Sequence, residues 1–433
     1  MASTKIATAA VEIHHLTRVE GHANVVLEMH NGIVQQCELA IVEAPRFFEA
    51  MLRGRPYNQA PRLASRICGI CAVTHATASL KAVERALGIE ISRQTTLLRR
   101  LNLCGEMLDS HLLHAYMLVA PDLLGSDGVI PLLSQSPELV SRALRMKQVA
   151  GQICAVVGGR HTHPIAMVVG GFAHLPSEAA LAELLEHLEA LAADVEATVE
   201  LFAGLTMPEF QRETEYMALY QDGDYCIVDG DIASSDGGAW PLDHYRDLTN
   251  EFQISHSTAK HARHRRPSYM VGALSRFNLN HDMLHPQAKA AAARLGLRPV
   301  CHNPFLITIA QVVEVVHFYE EARRILGQLL ELGIQAETPI QPDRLSGEGI
   351  GACEAPRGTL YHHYELRNGA VVEANCVIPT AQNLANIEAD MRLLAPQIGD
   401  RSQEEITLLL EMLIRAYDPC ISCSAHMVEV SFV

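Results

Sequence analysis

Two Cys-x-x-Cys pairs near opposite ends of the sequence constrain this chain more than any other feature. Cys68 and Cys71 stand in Arg66-Ile-Cys-Gly-Ile-Cys71, and Cys420 and Cys423 repeat the spacing in Asp418-Pro-Cys-Ile-Ser-Cys423. That spacing lets both sulfurs of a pair point at one metal from a turn, and two such pairs commonly form a four-thiolate site for zinc or iron. A structural zinc usually draws its pairs from within one small knuckle. Here 348 residues, 72 through 419, stand between them. Inert core thiols are the remaining plain reading of the four.

A chain of 433 residues, 48% hydrophobic and 19% charged, is globular and long enough to bury a large core. Its formal net charge of -16 repels phosphate backbones and anionic lipid, so a soluble protein partner or a small neutral substrate fits better than nucleic acid or a membrane surface. The opening residues MASTKIATAAVEIHH lack the apolar stretch and cleavage site of a signal peptide. No run reaches the ~18 apolar residues of a spanning helix. The expected location is therefore the cytoplasm, where thiols stay reduced. Seven cysteines stand alone in apolar or mixed context (Cys37, Cys104, Cys154, Cys226, Cys301, Cys353 and Cys376) and read as small core hydrophobes.

The periodicity predicts an α+β chain, mainly α. Alternation around Asn31-Gly32 is a hairpin signature, so the entry, residues 1–60, is β-rich. Helical period then governs 61–210 and 300–426, with long runs at Arg93–Leu124, Leu139–Val157, Glu178–Leu205, Ile307–Leu332 and Glu404–Tyr417. Residues 211–270 loosen into turns and short strands, ending in the basic run Lys260-His-Ala-Arg-His-Arg-Arg266. A second β excursion follows Glu337 and runs to about Ile378. No linker separates domains, so 1–433 reads as a single unit with an extension at 427–433.

The residues around the cysteines carry a resemblance. The stretch from Arg66 to Glu84, RICGICAVTHATASLKAVE, and AYDPCISCSAH at 416–426 resemble the two cysteine signatures of nickel-iron hydrogenase large subunits. The segments Arg18-Val-Glu-Gly-His22, GGRHTHP, Glu354-Ala-Pro-Arg-Gly358 and Asn383-x-x-x-Ile-Glu-x-Asp390 occur around them in the family's order. The likeness spans Arg18 to His426.

The resemblance implies the family's fold, a large helical core, and its activity, reversible heterolytic cleavage of H2. It implies a nickel-iron centre with carbonyl and cyanide ligands on the iron. Cys68 and Cys420 would be terminal on nickel and Cys71 and Cys423 would bridge. Soft thiolate ligands suit this chemistry, and a terminal thiolate can take the proton. Arg357 matches the family's arginine over the centre, with Asp418 as its partner. Glu20 aligns with the proton-gate carboxylate, a role that suits a buried glutamate. Glu49, His426 and the carbonyl of Cys376 would hold a third metal, magnesium or iron. His75 and His111 would hydrogen-bond around the ligands, and His163 would be structural. Many relatives carry aspartate where this chain has Ser110, with Asp109 shifted by one, which implies a rearranged polar network under Arg357.

Electrons need an iron-sulfur chain that this polypeptide does not encode, so a small partner subunit is implied. With no G-x-G-x-x-G after a strand, flavin and nicotinamide would sit on further diaphorase-type subunits. The motif flavour favours the cytoplasmic NAD(P)-linked, sulfhydrogenase-like branch ahead of the deazaflavin-linked and heterodisulfide-reductase-linked ones. A maturation protease that cuts after His426 is implied as well, and a tail-bearing form is expected to lack a complete nickel site. Two readings from other classes compete. The quinone-site subunit of respiratory complex I shares the fold but has lost the cysteine pairs. A zinc scaffold would keep the cysteines yet need none of Glu20, Arg357 or His426.

Overall fold

The computed structural model describes residues 9–425. The chain enters as an antiparallel meander of Ala9–Ile13, Ala23–His30 and Ile33–Ile41. Asn31 and Gly32 both have positive φ (54° and 75°), the left-handed pair that matches a tight hairpin to the twist of its strands. Val25, Leu27 and Met29 alternate inward and are fully buried. The meander packs on the Pro379–Ile398 helix, in which Glu388 accepts a hydrogen bond from the backbone amide of Leu39.

Helices form the body. The Arg93–Leu112 helix is capped by Ser92 Oγ, which accepts from the Thr95 amide. Beyond it the helical path widens into a π-helical turn, Leu113–Val119, before Ala120–Leu123. The run expected at 93–124 is thus one path with a change of pitch. The run expected at 178–205 is two helices, Glu178–Glu189 and Ala192–Ala203. Their break lets each half present its own apolar stripe to the central Ile307–Leu332 helix: Leu181, Leu184 and Leu188 from the first, Val195, Val199 and Phe202 from the second.

Residues 211–270 hold short strands among turns, as the sequence predicts. They build a four-stranded sheet of Ala239–Trp240, Asp231–Ser234, Glu215–Tyr220 and Tyr269–Met270, in that order, over a buried cluster that includes Met217, Leu219, Ile232 and Tyr245. The same cluster takes Ala352, Tyr361 and Val377 from a three-stranded meander, Gly347–Ala355, Gly358–Arg367 and Ala370–Val377. This meander is the β excursion expected between Glu337 and Ile378, with helices Ile307–Leu332 and Pro379–Ile398 on either side of it in the chain.

That late meander lies against the Ala72–Leu87 helix at unusually short range. A Cβ at Gly347, Gly349 or Gly351 would come within 2.1, 2.2 and 2.0 Å of the carbonyl oxygens of Ala86, Ala82 and Ala78. Alternate glycines on the strand meet alanines spaced four apart on the helix, so backbone packs on backbone. This seam fixes the helix that starts at Cys71 against the strand that ends in the Arg357 turn. Among the described residues, no helix is long and apolar enough to cross a membrane.

Candidate metal centre

Each cysteine pair sits at the start of a helix. A short 3-10 turn, Ser65–Ile67, delivers Cys68 in extended conformation, and Cys71 occupies the N-cap of Ala72–Leu87. The amides of Ile70 and Cys71 donate to Cys68 Sγ at 3.2 and 3.3 Å. Glu106 crosses from the neighbouring helix to accept from the amides of Val73 (2.6 Å) and Thr74 (3.0 Å), satisfying donors at the helix start. Burial pushes this carboxyl up to about 8 against the pull of those donors.

The second pair follows the Gln403–Ala416 helix, whose start carries a full capping box of Ser402 and Glu405. Asp418 takes a left-handed backbone (φ 52°) just before Pro419, a strained conformation of the kind retained at functional sites. Cys420 then pairs with Glu20 as an isolated parallel bridge, and its amide donates to Thr380 Oγ1 at 3.0 Å. The approach requires Gly21. A Cβ there would lie 2.7 Å from Ile421 Cβ and 2.9 Å from the Ser422 amide.

The four sulfurs converge. Cys68 Sγ lies 3.4 Å from Cys420 Sγ, Cys71 Sγ 3.9 Å from Cys423 Sγ, and Cys420 Sγ 2.7 Å from Cys423 Sγ. All four are buried free thiols, within 4.8 Å of one another. Hydrogen bonds from Cys420, Cys423 and Cys71 draw the Cys68 thiol well below its ordinary value, while burial and the neighbouring thiols push Cys423 well above. Four soft donors, converging in a water-excluded site, fit a thiolate-bound transition metal.

Arg357 stands beside this quartet. Its Nε donates to the Asp418 carbonyl (2.6 Å) and one terminal nitrogen to Asp418 Oδ1 (2.9 Å). The other terminal nitrogen reaches Ser110 Oγ at 3.4 Å. Burial disfavours the guanidinium charge, but Asp418 and the thiols of Cys420, Cys71 and Cys68 outweigh it. Asp109 turns away, pairing with Lys147 at 2.5 Å. Gln311 Nε2 donates to Asp418 Oδ2 at 3.2 Å and so holds the carboxylate from its other side.

Glu20 is half-buried. Its Oε2 accepts from Cys420 Sγ at 3.2 Å and from the Ser422 amide at 3.0 Å. Glu49 and Cys376 are also brought together, Glu49 Oε1 accepting from the Cys376 amide at 2.8 Å and from Asn375 Nδ2 at 3.1 Å. His75 Nδ1 pairs with His362 Nε2 at 3.1 Å, and His362 in turn meets Tyr364 and the Cys376 thiol. His163 Nδ1 donates to the Ser65 carbonyl at 2.8 Å, steadying the turn before Cys68. His426 lies outside the described residues.

His111 pairs with a buried carboxylate. Its Nε2 is bound to Glu314 Oε2 at 2.7 Å, within a buried network, and its Nδ1 has no partner among the described residues. Arg276 sits at the middle of that network, donating to Glu314, Glu354 and the carbonyls of Ala355 and Pro356. Burial would raise the Glu314 carboxyl, but Arg276 and His111 hold it far below the usual range. The network carries the turn that presents Arg357.

Reasoning from sequence missed Arg276, Glu314, Gln311, Glu106 and Arg46. The last donates to the Ile67 carbonyl (2.8 Å) and the Ser422 carbonyl (3.3 Å), clamping both cysteine loops. One signal was available: Gln311 and Glu314 interrupt an otherwise apolar helix in Ile-Thr-Ile-Ala-Gln-Val-Val-Glu314, and polar groups buried there need partners.

The family described as nickel-dependent hydrogenase matches at residues 46–129 and 232–426, and one described as HoxL-like matches at 10–44. The chain is 35% identical to sulfhydrogenase 1 subunit alpha of Pyrococcus furiosus, over 97% of this chain and 98% of that one. It is 29% identical to the NAD-reducing hydrogenase HoxS subunit beta of Cupriavidus necator, over 96% and 94%. Among solved structures, an NAD+-reducing [NiFe]-hydrogenase in the H2-reduced state superposes with a TM-score of 0.86 at 28% identity, covering 97% of this chain and all of that one.

Proposed function

The chain belongs to the nickel-dependent hydrogenase family as a catalytic large subunit, and from that footing we propose that Cys68, Cys71, Cys420 and Cys423 hold its nickel-iron centre, with carbonyl and cyanide on the iron. The observation that carries this reading is the convergence of four buried sulfurs from opposite ends of the chain, with a carboxylate 3.2 Å from one of them. When bound, such a centre supplies the open metal position at which dihydrogen is cleaved heterolytically.

The chain's own residues handle the proton and the order of the site. The Cys420 thiol holds a proton within reach of Glu20 Oε2, and the Ser422 amide keeps that oxygen turned toward the sulfur. Arg357, fixed by Asp418 on two atoms, presents a preorganised positive charge beside the sulfurs. The apolar shell keeps bulk water off the thiolates. Glu49 and the Cys376 carbonyl, with His426, would hold a hard divalent ion such as magnesium, or iron, beside the C-terminal loop. His75 positions the first cysteine loop through His362.

Electrons leave through an iron-sulfur small subunit, and diaphorase-type subunits pass them to NAD(P). Likeness to the NAD-reducing hydrogenase HoxS subunit beta supports this acceptor, and the chain is also similar to a sulfhydrogenase alpha subunit. A maturation protease removes residues 427–433. The test is metal analysis with infrared spectroscopy of the purified complex. Nickel and iron with carbonyl and cyanide bands are expected; zinc alone would overturn the reading in favour of a scaffold.

A further inference from the structure

The basic run at 260–266 has no part in the hydrogenase site, yet its His261 joins a second group of metal-ligating side chains. One ring nitrogen each from His256 and His261 and one Glu388 oxygen lie within 4.8 Å of one another. His256 Nε2 is 2.7 Å from Glu388 Oε1, and Glu38 Oε1 approaches His256 Nδ1 at 3.9 Å. His261 is 4% exposed, and its Nε2 is buried without a hydrogen-bond partner among the described residues. Buried ring nitrogens are ordinarily paired.

The backbone around this group is held in place. His261 and Phe252 exchange two main-chain hydrogen bonds of 2.8 and 2.9 Å. Between them, Thr258 ties the loop to the end of the first sheet, its amide donating to the Ile41 carbonyl (3.1 Å) and its hydroxyl to the Glu43 carbonyl (2.8 Å). Glu388 is turned into the cluster by the Leu39 amide at 2.9 Å. His256, Glu38 and Glu388 are half-buried.

We propose that His256, His261 and Glu388 bind a divalent first-row transition metal of the zinc class, with Glu38 or water as the fourth ligand. Two imidazoles and a carboxylate are borderline donors that suit zinc better than magnesium or calcium, which take oxygen alone. The ion gives the His261 ring a partner and neutralises the two facing carboxylates. It staples three parts of the fold: the Ile33–Ile41 strand, the 252–261 loop and the Pro379–Ile398 helix, whose first turn supplies Thr380 to the Cys420 amide. Its role is a clamp behind the second cysteine loop, separate from the nickel-iron chemistry.

The test uses the assembled, nickel-loaded complex, so that the four cysteines are already occupied. After treatment with a chelator and then zinc, wild type is expected to retain one zinc per large subunit through gel filtration, with an anomalous peak at the zinc edge between His256, His261 and Glu388. His256→Ala and Glu388→Gln should each lose that equivalent while keeping nickel and hydrogen oxidation. The glutamine retains the acceptor for Leu39, which guards against a folding defect. Equal zinc in wild type and both variants, or no anomalous peak in zinc-soaked wild-type crystals, would overturn the proposal.

Discussion

Glu20 Oε2 faces a thiol and a backbone amide at once, so the proton it can accept and the geometry that holds it are separable. Glu20→Gln preserves the amide contact and removes the acceptor for a proton. We expect nickel and iron contents to be unchanged and hydrogen oxidation to fall about 100- to 10,000-fold, the usual weight of a positioned acid-base group. Steady-state turnover alongside metal analysis checks this, and wild-type turnover in the variant would take Glu20 out of the proton path. Arg357→Lys keeps the charge but cannot bond Asp418 on two atoms. Metals should stay bound while turnover drops by about 100-fold or more, the scale for losing one preorganised donor; unchanged turnover would remove Arg357 from the mechanism. At this scale the sequence was most legible where a short motif carries the chemistry. Cys68, Cys71, Cys420, Cys423, Glu20 and Arg357 do come together, and so do Glu49 and Cys376. Arg46 and Arg276 escaped notice because their partners are mostly backbone carbonyls and residues of distant sequence, which no local pattern marks.

The elements that hold these residues depend on how closely they can approach. The glycine-alanine seam between Gly347–Ala355 and Ala72–Leu87 has no room for a methyl group at Gly351, where a Cβ would sit 2.0 Å from a backbone oxygen. Gly351→Ala must therefore separate strand from helix. A loss of about 1–3 kcal/mol or more is expected, as for overpacking a close-packed core, together with a lowered nickel content because Cys71 leads that helix. Gly327 is the opposite case. It lies exposed inside Ile307–Leu332 with open space where an added methyl carbon would stand, so Gly327→Ala should stabilise by roughly 0.5–1 kcal/mol through helix propensity. Thermal unfolding of the two variants against wild type measures both signs. Helices with a strong period were readable from sequence, Ile307–Leu332 with its bounds unchanged. The π-helical turn at Leu113–Val119 and the break after Glu189 were not, because pitch and bend there answer to tertiary packing rather than to local apolar spacing. The short strands within 211–270 were legible, but their assembly into one sheet was not, because their buried faces are completed by Ala352, Tyr361 and Val377 from far along the chain.

Across the whole molecule, the site exists only when the two ends meet. Cys68 and Cys420 are 352 positions apart, so closing the quartet depends on everything between them being folded. The final closing contacts are local. The Arg46 amide donates to the Ala425 carbonyl at 2.8 Å while the Arg46 guanidinium holds the carbonyls of Ile67 and Ser422, and Ala425 is fully buried. Docking of the second cysteine loop is thus coupled to drawing the chain inward up to residue 425. Seven residues, 427–433, follow His426 in the sequence, and Met427, Val428, Val430, Phe432 and Val433 among them are apolar. On the proposed maturation, the full 433-residue chain should hold substoichiometric nickel and show little hydrogen oxidation, and the chain ending at His426 should carry stoichiometric nickel when isolated from the assembled complex. Arg46→Ala should mimic the tail in part, lowering nickel content in the shortened chain by loosening both loops together. Elemental analysis of the three forms separates these outcomes. Stoichiometric nickel with full turnover in the uncut chain would show that closure tolerates the tail, and the coupling through Arg46 and Ala425 would then have no part in metal loading.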